Sequence, residues 1–530
     1  MEKKKTSFIQ GAAVLGIAGL IVKIIGAAFR IPLANAIGLI GTSYYDTAYP
    51  YYSWLLVIST SGLPTAISKM VAERATLGDF RGAHRVFTTA LQILFGIGIV
   101  SSIVMFFGAD YLAKVHMLPE VAYSFRALAP ALFFVAVMCA YRGYMQGMQL
   151  MVPTALSQVV EQLGKLIIGL GLAIILLPKG PEYAAMGALI GVTASELLAL
   201  FYIMLSYRRK WPRIRARMER CPHTEGYPVA KRLLGLALPI TIGASISPLA
   251  SVVDSALIIR ILLKLGYEKE TAQTAFSLMR TNVATLTNMP GVLTMALAMS
   301  LVPAISGFMA KRDKNGMQTV ARMGLKLALI IGLPCAVGLY VLAEPVLTML
   351  YPKLSAAELA LAVDLMHTSA IGVVFLSLVQ SMTGVIQGIG KPHVPVFNLF
   401  IGFILKVITQ LVLMNIPEVN IQGASVSTVV CYAFAGLADT IYVIRKANLS
   451  SSMFDVFLKP LISSGMMGFI VYMIQRLMSG DGHSASSTLL AVAAGVFSYA
   501  VMAVYLCFFS REELDYIPGG SKLRKLMYRD

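Results

Sequence analysis

Long apolar runs, each closed by a short polar or basic segment, recur along nearly the whole chain. Runs of roughly 20 residues cross about 30 Å of hydrocarbon at 1.5 Å per residue, and counting them predicts fourteen transmembrane helices. They fall near 8–38, 45–68, 84–108, 124–147, 153–177, 184–206, 233–263, 276–307, 323–343, 361–387, 395–414, 421–444, 457–475 and 486–509. The predicted fold class is an all-α polytopic membrane protein.

Composition agrees with this pattern. The chain is 57% hydrophobic and only 13% charged, about half the charged fraction of a soluble globule. The first run follows Met1-Glu2-Lys3-Lys4-Lys5. It is too long for a signal-peptide core and has no small-residue cleavage site, so the amino terminus is expected to remain uncleaved and cytoplasmic. The net charge of +18 raises the question of nucleic acid, but the basic residues outside the runs lie in alternate loops. A positive-inside orientation with both termini cytoplasmic explains them, and nucleic acid is not an expected partner. The largest basic segment, 207–232, reads either as a topology determinant resting on anionic membrane lipids or as a docking surface for a partner or substrate. Five scattered cysteines predict neither a disulfide nor a metal site.

The two halves of the chain resemble each other. Ala66-Ile67-Ser68 recurs as Ala304-Ile305-Ser306, a shift of 238 that also matches Arg74 to Arg312 and Gly78 to Gly316. A shift of 241 places Phe134 on Phe375, Gln146-Gly147 on Gln387-Gly388 and Lys165 on Lys406. The expected organisation is a six-helix bundle (1–206), the basic cytoplasmic loop (207–232), a second six-helix bundle (233–444), two additional helices (445–509) and a basic cytoplasmic tail (510–530). An even number of helices per repeat keeps both halves in one orientation, as in transporters built from parallel repeats.

Charges inside the runs carry the candidate chemistry, because a charge at bilayer depth is costly. They are Lys23, Arg30, Arg126, Arg142, Lys165, Arg260, Arg280, Lys326 and Lys406, against chiefly Glu161, Glu196 and Asp254. The cationic excess points to an anionic cargo. Gly19, Lys23, Gly26 and Arg30 share one helical face, where glycines admit close approach and two cations point the same way. Glu161 and Lys165, four residues apart, form either a self-neutralising pair or one that cargo or a proton breaks; Glu196 joins that network or titrates during transport. Arg142, Arg280 and Lys406 are further cavity candidates, while Arg126, Arg260 and Lys326 lie near helix ends and suit snorkelling. Asp254 either pairs with an arginine, binds a coupling cation or plays a structural role. Tyr44, Tyr45, Tyr49, Tyr51, Tyr52 and Trp54 read as an interfacial aromatic belt, a sugar-stacking surface or an outer gate. No nucleophile, metal or acid–base constellation stands out, and the 384–392 segment has Val385 and Pro392 where a phosphate loop needs glycine and Ser/Thr. An enzyme is not expected.

Gly62-Leu63-Pro64-Thr65-Ala66-Ile67-Ser68-Lys69-Met70-Val71-Ala72-Glu73, followed by Gly78-Asp79, resembles the second-helix signature of the stage V sporulation protein B group of the MOP flippase superfamily. Lys23-Ile24-Ile25-Gly26 with Arg30-Ile31-Pro32, and Pro290-Gly291-Val292-Leu293 leading to Leu301-Val302-Pro303-Ala304-Ile305-Ser306, look like its first and eighth helices. The resemblance covers the whole chain. It implies a V-shaped pair of bundles in the bacterial cytoplasmic membrane that flips undecaprenyl-diphosphate-linked muropeptide, lipid II, by alternating access. It also implies substrate-binding cations at Lys23, near Arg30 and near Arg280, no cofactor, and coupling to Na+, H+ or the membrane potential. Asp254, Asn398 and Thr428 are the coupling-ion candidates that it suggests. The alternatives are another undecaprenyl-linked polysaccharide unit, a cation-coupled drug exporter, which should present acidic cavity residues, and a scaffold recruiting cell-wall synthases through 207–232.

Overall fold

The computed structural model describes residues 2–60, 62–219, 221, 229–449, 453–478 and 485–514. Every element among them is helical, and they divide into two compact units, Met1–Ser277 and Leu278–Asp530. Among the described residues, thirteen stretches are long and apolar enough to cross a membrane. One of these, Ile21–Thr76, is 56 residues long, about 84 Å at 1.5 Å per residue, far more than a bilayer needs. A break at Gly38 divides it, so it supplies two of the fourteen predicted spans. Gly38 adopts φ 70° and ψ −179°, a combination that glycine alone tolerates without a steric cost. Around the break, Thr42 donates from Oγ1 to the Gly38 and Leu39 carbonyls and Ser43 from Oγ to that of Ile40. Side-chain hydroxyls thus occupy carbonyls near the break, as the membrane interior requires.

In the first unit, α1 (Glu2–Thr60) and α2 (Gly62–Thr76) lead to α3 (Phe80–Phe107) and the short α4 (Ala109–Val115). Then come α5 (Val121–Gly147), α6 (Met151–Gly164), a π-helical turn at Lys165–Gly169, α7 (Leu170–Leu176) and α8 (Pro181–Glu219). The unit closes with α9 (Val229–Lys264) and α10 (Lys269–Ser277); α9 packs on α1 and α2. Ile67, Val86, Met138 and Tyr144 form part of its core, whereas α3 exposes Phe95, Val100, Val104 and Phe107, a face suited to lipid rather than water. Residues 207–219, expected within a loop, continue α8. Tyr207, Trp211, Ile214 and Met218 recur along it and pack into the α3–α5 core, leaving Arg208, Arg209, Arg213, Arg215 and Arg217 exposed. Residues 220 and 222–228 of that segment lie outside the described residues.

His116 lies between α4 and α5, outside the spans, with Nε2 3.0 Å from the Tyr51 hydroxyl oxygen. Burial pushes its pKa from 6.5 down to about 4. The folded value lies below the unfolded one, so this contribution to stability is complete above about pH 6.5 and declines as pH falls toward 4. The full shift corresponds to about 3 kcal/mol. Thermal unfolding should therefore show a fall in stability between pH 7 and 4.5 that His116→Gln largely abolishes. An unchanged acid slope in the variant would assign the sensitivity elsewhere.

The second unit starts with a π-helical turn at Leu278–Val283, followed by α11 (Ala284–Lys311), α12 (Lys314–Val341) and α13 (Ala343–Leu350). It continues through α14 (Ala356–Gly388), α15 (His393–Met414), α16 (Gln422–Ala447), α17 (Met453–Met478), α18 (Ala485–Tyr505) and α19 (Arg511–Leu514). Leu301, Leu325, Met382 and Val443 lie in its core, and α17 packs on α12 and α18. Of the expected basic tail, residues 515–530 lie outside the described residues.

The internal repeat is visible in matched contacts. A Cβ on Gly147 would meet Val71 and the Ser68 carbonyl; one on Gly388 would meet Ile305 and the Val302 carbonyl. Gly98 abuts Phe133 and Ala136, as Gly332 abuts Val374 and Ser377. Asp79 caps α3 through the Gly82 amide and Asp313 caps α12 through that of Gly316. These pairs confirm the 241 shift for α5 and α14, but set α2–α3 against α11–α12 at 234. The Ala-Ile-Ser match at 238 is therefore displaced by one helical turn, a slip that leaves the same face forward and keeps small apolar residues aligned.

Candidate functional site

The seam between α8 and the α6–π-turn–α7 segment is built from small residues. A Cβ added to Gly191 would lie 2.2 Å from Gly169 Cα, and one added to Gly164 would lie 2.7 Å from Ser195 Cβ. The backbones consequently approach closely enough for side chains on either side of the seam to pair. Lys165 begins the π turn and directs Nζ to Glu161 Oε1 at 2.7 Å and to Glu196 Oε1 at 3.0 Å. Single-turn π insertions occur frequently at functional sites.

Glu161 also accepts from Gln162 Nε2 at 3.2 Å, and its Oε2 accepts from Arg142 Nη2 at 3.1 Å. Arg142 donates from Nε to Ser157 Oγ at 2.9 Å, and Ser157 in turn donates to the Thr154 carbonyl. Glu196 is completely buried on α8 and accepts the Tyr52 hydroxyl on Oε1 at 2.8 Å. Its other oxygen, Oε2, is buried with no hydrogen-bond partner among the described residues. Tyr52 continues the network into α1: it contacts Tyr49 at 5.6 Å between ring centroids, and Tyr49 stacks on Tyr45 at 5.2 Å. Arg30 sits 5.5 Å from the Tyr45 ring centroid and pairs with buried Asp46. The break at Gly38 folds α1 back so that residues sixteen apart meet.

The arrangement joins Arg30, Arg142, Glu161, Lys165 and Glu196, and adds Asp46, Tyr45, Tyr49 and Tyr52. Three cations face three carboxylates, so the network is formally neutral rather than cationic. Asp46 lies just inside the second predicted span and is one acid that the expected cationic excess leaves out. Tyr44, Tyr45 and Tyr52 are buried in this unit, not ranged along an interface as a belt would be. A network of mutually neutralised charges can exchange partners at lower cost than it can lose one.

The other candidates lie on further parts of the two units. Lys23 is exposed on α1; a Cβ added to Gly19 would meet nothing within 4 Å, while one on Gly26 would lie 3.6 Å from Gln162 Oε1. Arg280 occupies the second π turn and Lys406 is buried on α15. Of the snorkelling candidates, Arg126 pairs with exposed Asp110, but Lys326 is buried against Glu513. Asp254 belongs to the first unit, Asn398 and Thr428 to the second. Asn398 donates from Nδ2 to Asp439 Oδ1 at 2.7 Å, and Thr428 donates to its own helix at the Ala424 carbonyl. Asp439, fully buried in an apolar run, is a carboxylate that the sequence reading overlooked although its charge alone marked it. Among the described residues, no group of three or more His, Cys, Asp or Glu is placed to hold a metal.

A family profile described as "Polysaccharide biosynthesis protein" matches residues 8–309, and one described as "MatE" matches residues 281–412. Three Bacillus subtilis proteins are similar end to end. The membrane protein YabM is 29% identical, covering 98% of this chain and 96% of its own length. Stage V sporulation protein B is 26% identical (97% and 98%), and the lipid II flippase MurJ is 25% identical (94% of each). Among solved structures, a lipid II flippase MurJ in an inward closed conformation superposes with a TM-score of 0.71 at 15% identity, covering 93% of this chain and 98% of that one. An inward-facing MATE transporter of the MOP superfamily gives 0.68 at 15% identity, covering 82% and 99%. The fold and these relatives define a multi-pass membrane transporter of the MOP flippase type, not an enzyme. The chain belongs to the polysaccharide biosynthesis protein family of that superfamily.

Proposed function

We propose that this flippase translocates undecaprenyl-diphosphate-linked muropeptide, lipid II, across the bacterial cytoplasmic membrane by alternating access, with both termini cytoplasmic. The observation that carries the reading is the end-to-end likeness to the Bacillus subtilis lipid II flippase, 25% identical over 94% of each chain. Lys23 and Arg30, seven residues apart on α1, supply donors for diphosphate oxygens, which suit Lys and Arg in place of water. Lys23 is exposed and Arg30 is held by Asp46, so Lys23 makes first contact and Arg30 engages by exchanging Asp46 for phosphate. Return of the emptied protein draws on Na+, H+ or the membrane potential, the last worth about 2.3 kcal/mol per charge per 100 mV.

A second reading, transport of another undecaprenyl-linked polysaccharide unit, is favoured by the family's own description. Native mass spectrometry of purified protein with lipid II, other undecaprenyl-linked glycans and undecaprenyl phosphate separates the two. Lipid II should bind selectively, and the Lys23→Ala/Arg30→Ala double variant should bind it at least about tenfold more weakly. Equal binding of all the lipids would move the substrate to the broader class. Full complementation of a flippase-deficient strain by the double variant would remove both residues from the site.

A further inference from the structure

The beginning of α15 and the end of α16 enclose a groove of about 560 Å³. Arg445, Lys446, Asn398 and Tyr442 line its polar part; Val394 and Ile441 line its apolar part. Arg445 and Lys446 are exposed in the last turn of α16, and Lys391 and His393 are exposed at the approach to α15. Helix α15, 22 residues long, begins at this groove without a side-chain cap, so its positive dipole end adds to the field of the cations. Asp439, the nearest acid in sequence, is fully buried and bonded to Asn398.

The apolar part distinguishes the occupant. Leu437 and Ile441, one turn apart on α16, are 49% and 48% exposed in a membrane-crossing helix. They continue from the cationic mouth as a track for hydrocarbon, which a free phosphate would leave empty. We propose that the groove binds an anionic phospholipid, with its phosphate between Arg445, Lys446 and the start of α15 and an acyl chain along Ile441 and Leu437. Basic pockets between transmembrane helices are suited to such headgroups.

Two arms test this on the full-length protein. In native mass spectrometry, phosphatidylglycerol should occupy one saturable site in preference to phosphatidylcholine, and Arg445→Gln/Lys446→Gln should weaken that site roughly 20- to 30-fold. Inorganic phosphate at millimolar concentration should leave it occupied. In vesicles of phosphatidylcholine doped with photoactivatable phosphatidylglycerol, the wild-type chain should be labelled within 391–398 and 437–446, which keeps the test decisive if the variant fails to fold. Unchanged affinity in a folded variant, displacement by phosphate alone, or labelling confined to other segments would overturn the proposal.

Discussion

Lys165→Met is expected to lower the unfolding free energy by about 3–5 kcal/mol, the usual cost of removing one partner from a buried ion pair. Lys165 alone bridges the two carboxylates, at 2.7 Å from Glu161 and 3.0 Å from Glu196. After its loss Glu161 still has Arg142, but among the described residues Glu196 retains only the Tyr52 hydroxyl on Oε1, and its Oε2 already lacks a partner. Glu196 is wholly buried, so no water replaces the lysine and the desolvation of a carboxylate goes uncompensated. Lys165→Met/Glu196→Gln removes the uncompensated charge and should recover much of the loss, giving a coupling of about 2 kcal/mol or more in a double-mutant cycle. Thermal unfolding of the purified variants in detergent reads both quantities. Additive losses would mean that the two residues do not act as a pair. A Lys165→Met protein as stable as the wild type would mean that the lysine does not neutralise this network.

Local chemistry was legible in the sequence, and distant partnership was not. Apolar runs of bilayer length located the spans, and four-residue spacing identified Glu161–Lys165, because both depend on neighbours along one helix. Glu196 was singled out by depth alone; its partner Tyr52 lies 144 residues away. Arg30 and Asp46 are only sixteen residues apart, yet an unbroken helix would not bring them together, and the left-handed backbone at Gly38 had no sequence mark beyond a glycine among many. The basic segment after residue 206 illustrates the opposite failure. Its charges dominated the reading, while Tyr207, Trp211, Ile214 and Met218, spaced four, three and four apart, already described the inward face of a helix. The repeat was detectable from small-residue matches, but only contacts fixed its register, since a helix displaced by one turn presents nearly the same face.

Glu513→Gln is expected to destabilise the second unit by about 3–5 kcal/mol although it changes a residue beyond the last membrane-crossing helix. Lys326 of α12 is buried, with its Nζ 2.7 Å from Glu513 Oε2 and 2.9 Å from the Phe508 carbonyl oxygen. Glu513 is itself held in place: Ser510 N donates to its Oε2, and its own amide donates to Ser510 Oγ. Phe508 and Leu514 are 2% and 1% exposed, so this short segment is packed as well as paired. The contacts tie the chain following α18 back to α12, a helix of the repeated bundle, and so help to dock the additional helices α17 and α18. Glutamine keeps the shape and an acceptor oxygen but leaves a lysine charge buried without a counter-ion, whereas Lys326→Met/Glu513→Gln leaves none. The single variant should therefore unfold earlier and become susceptible to proteolysis after α16, and the double variant should regain most of the wild-type resistance. Equal protease resistance in the wild type and the single variant would show that packing of Phe508 and Leu514, rather than the ion pair, holds the segment to α12.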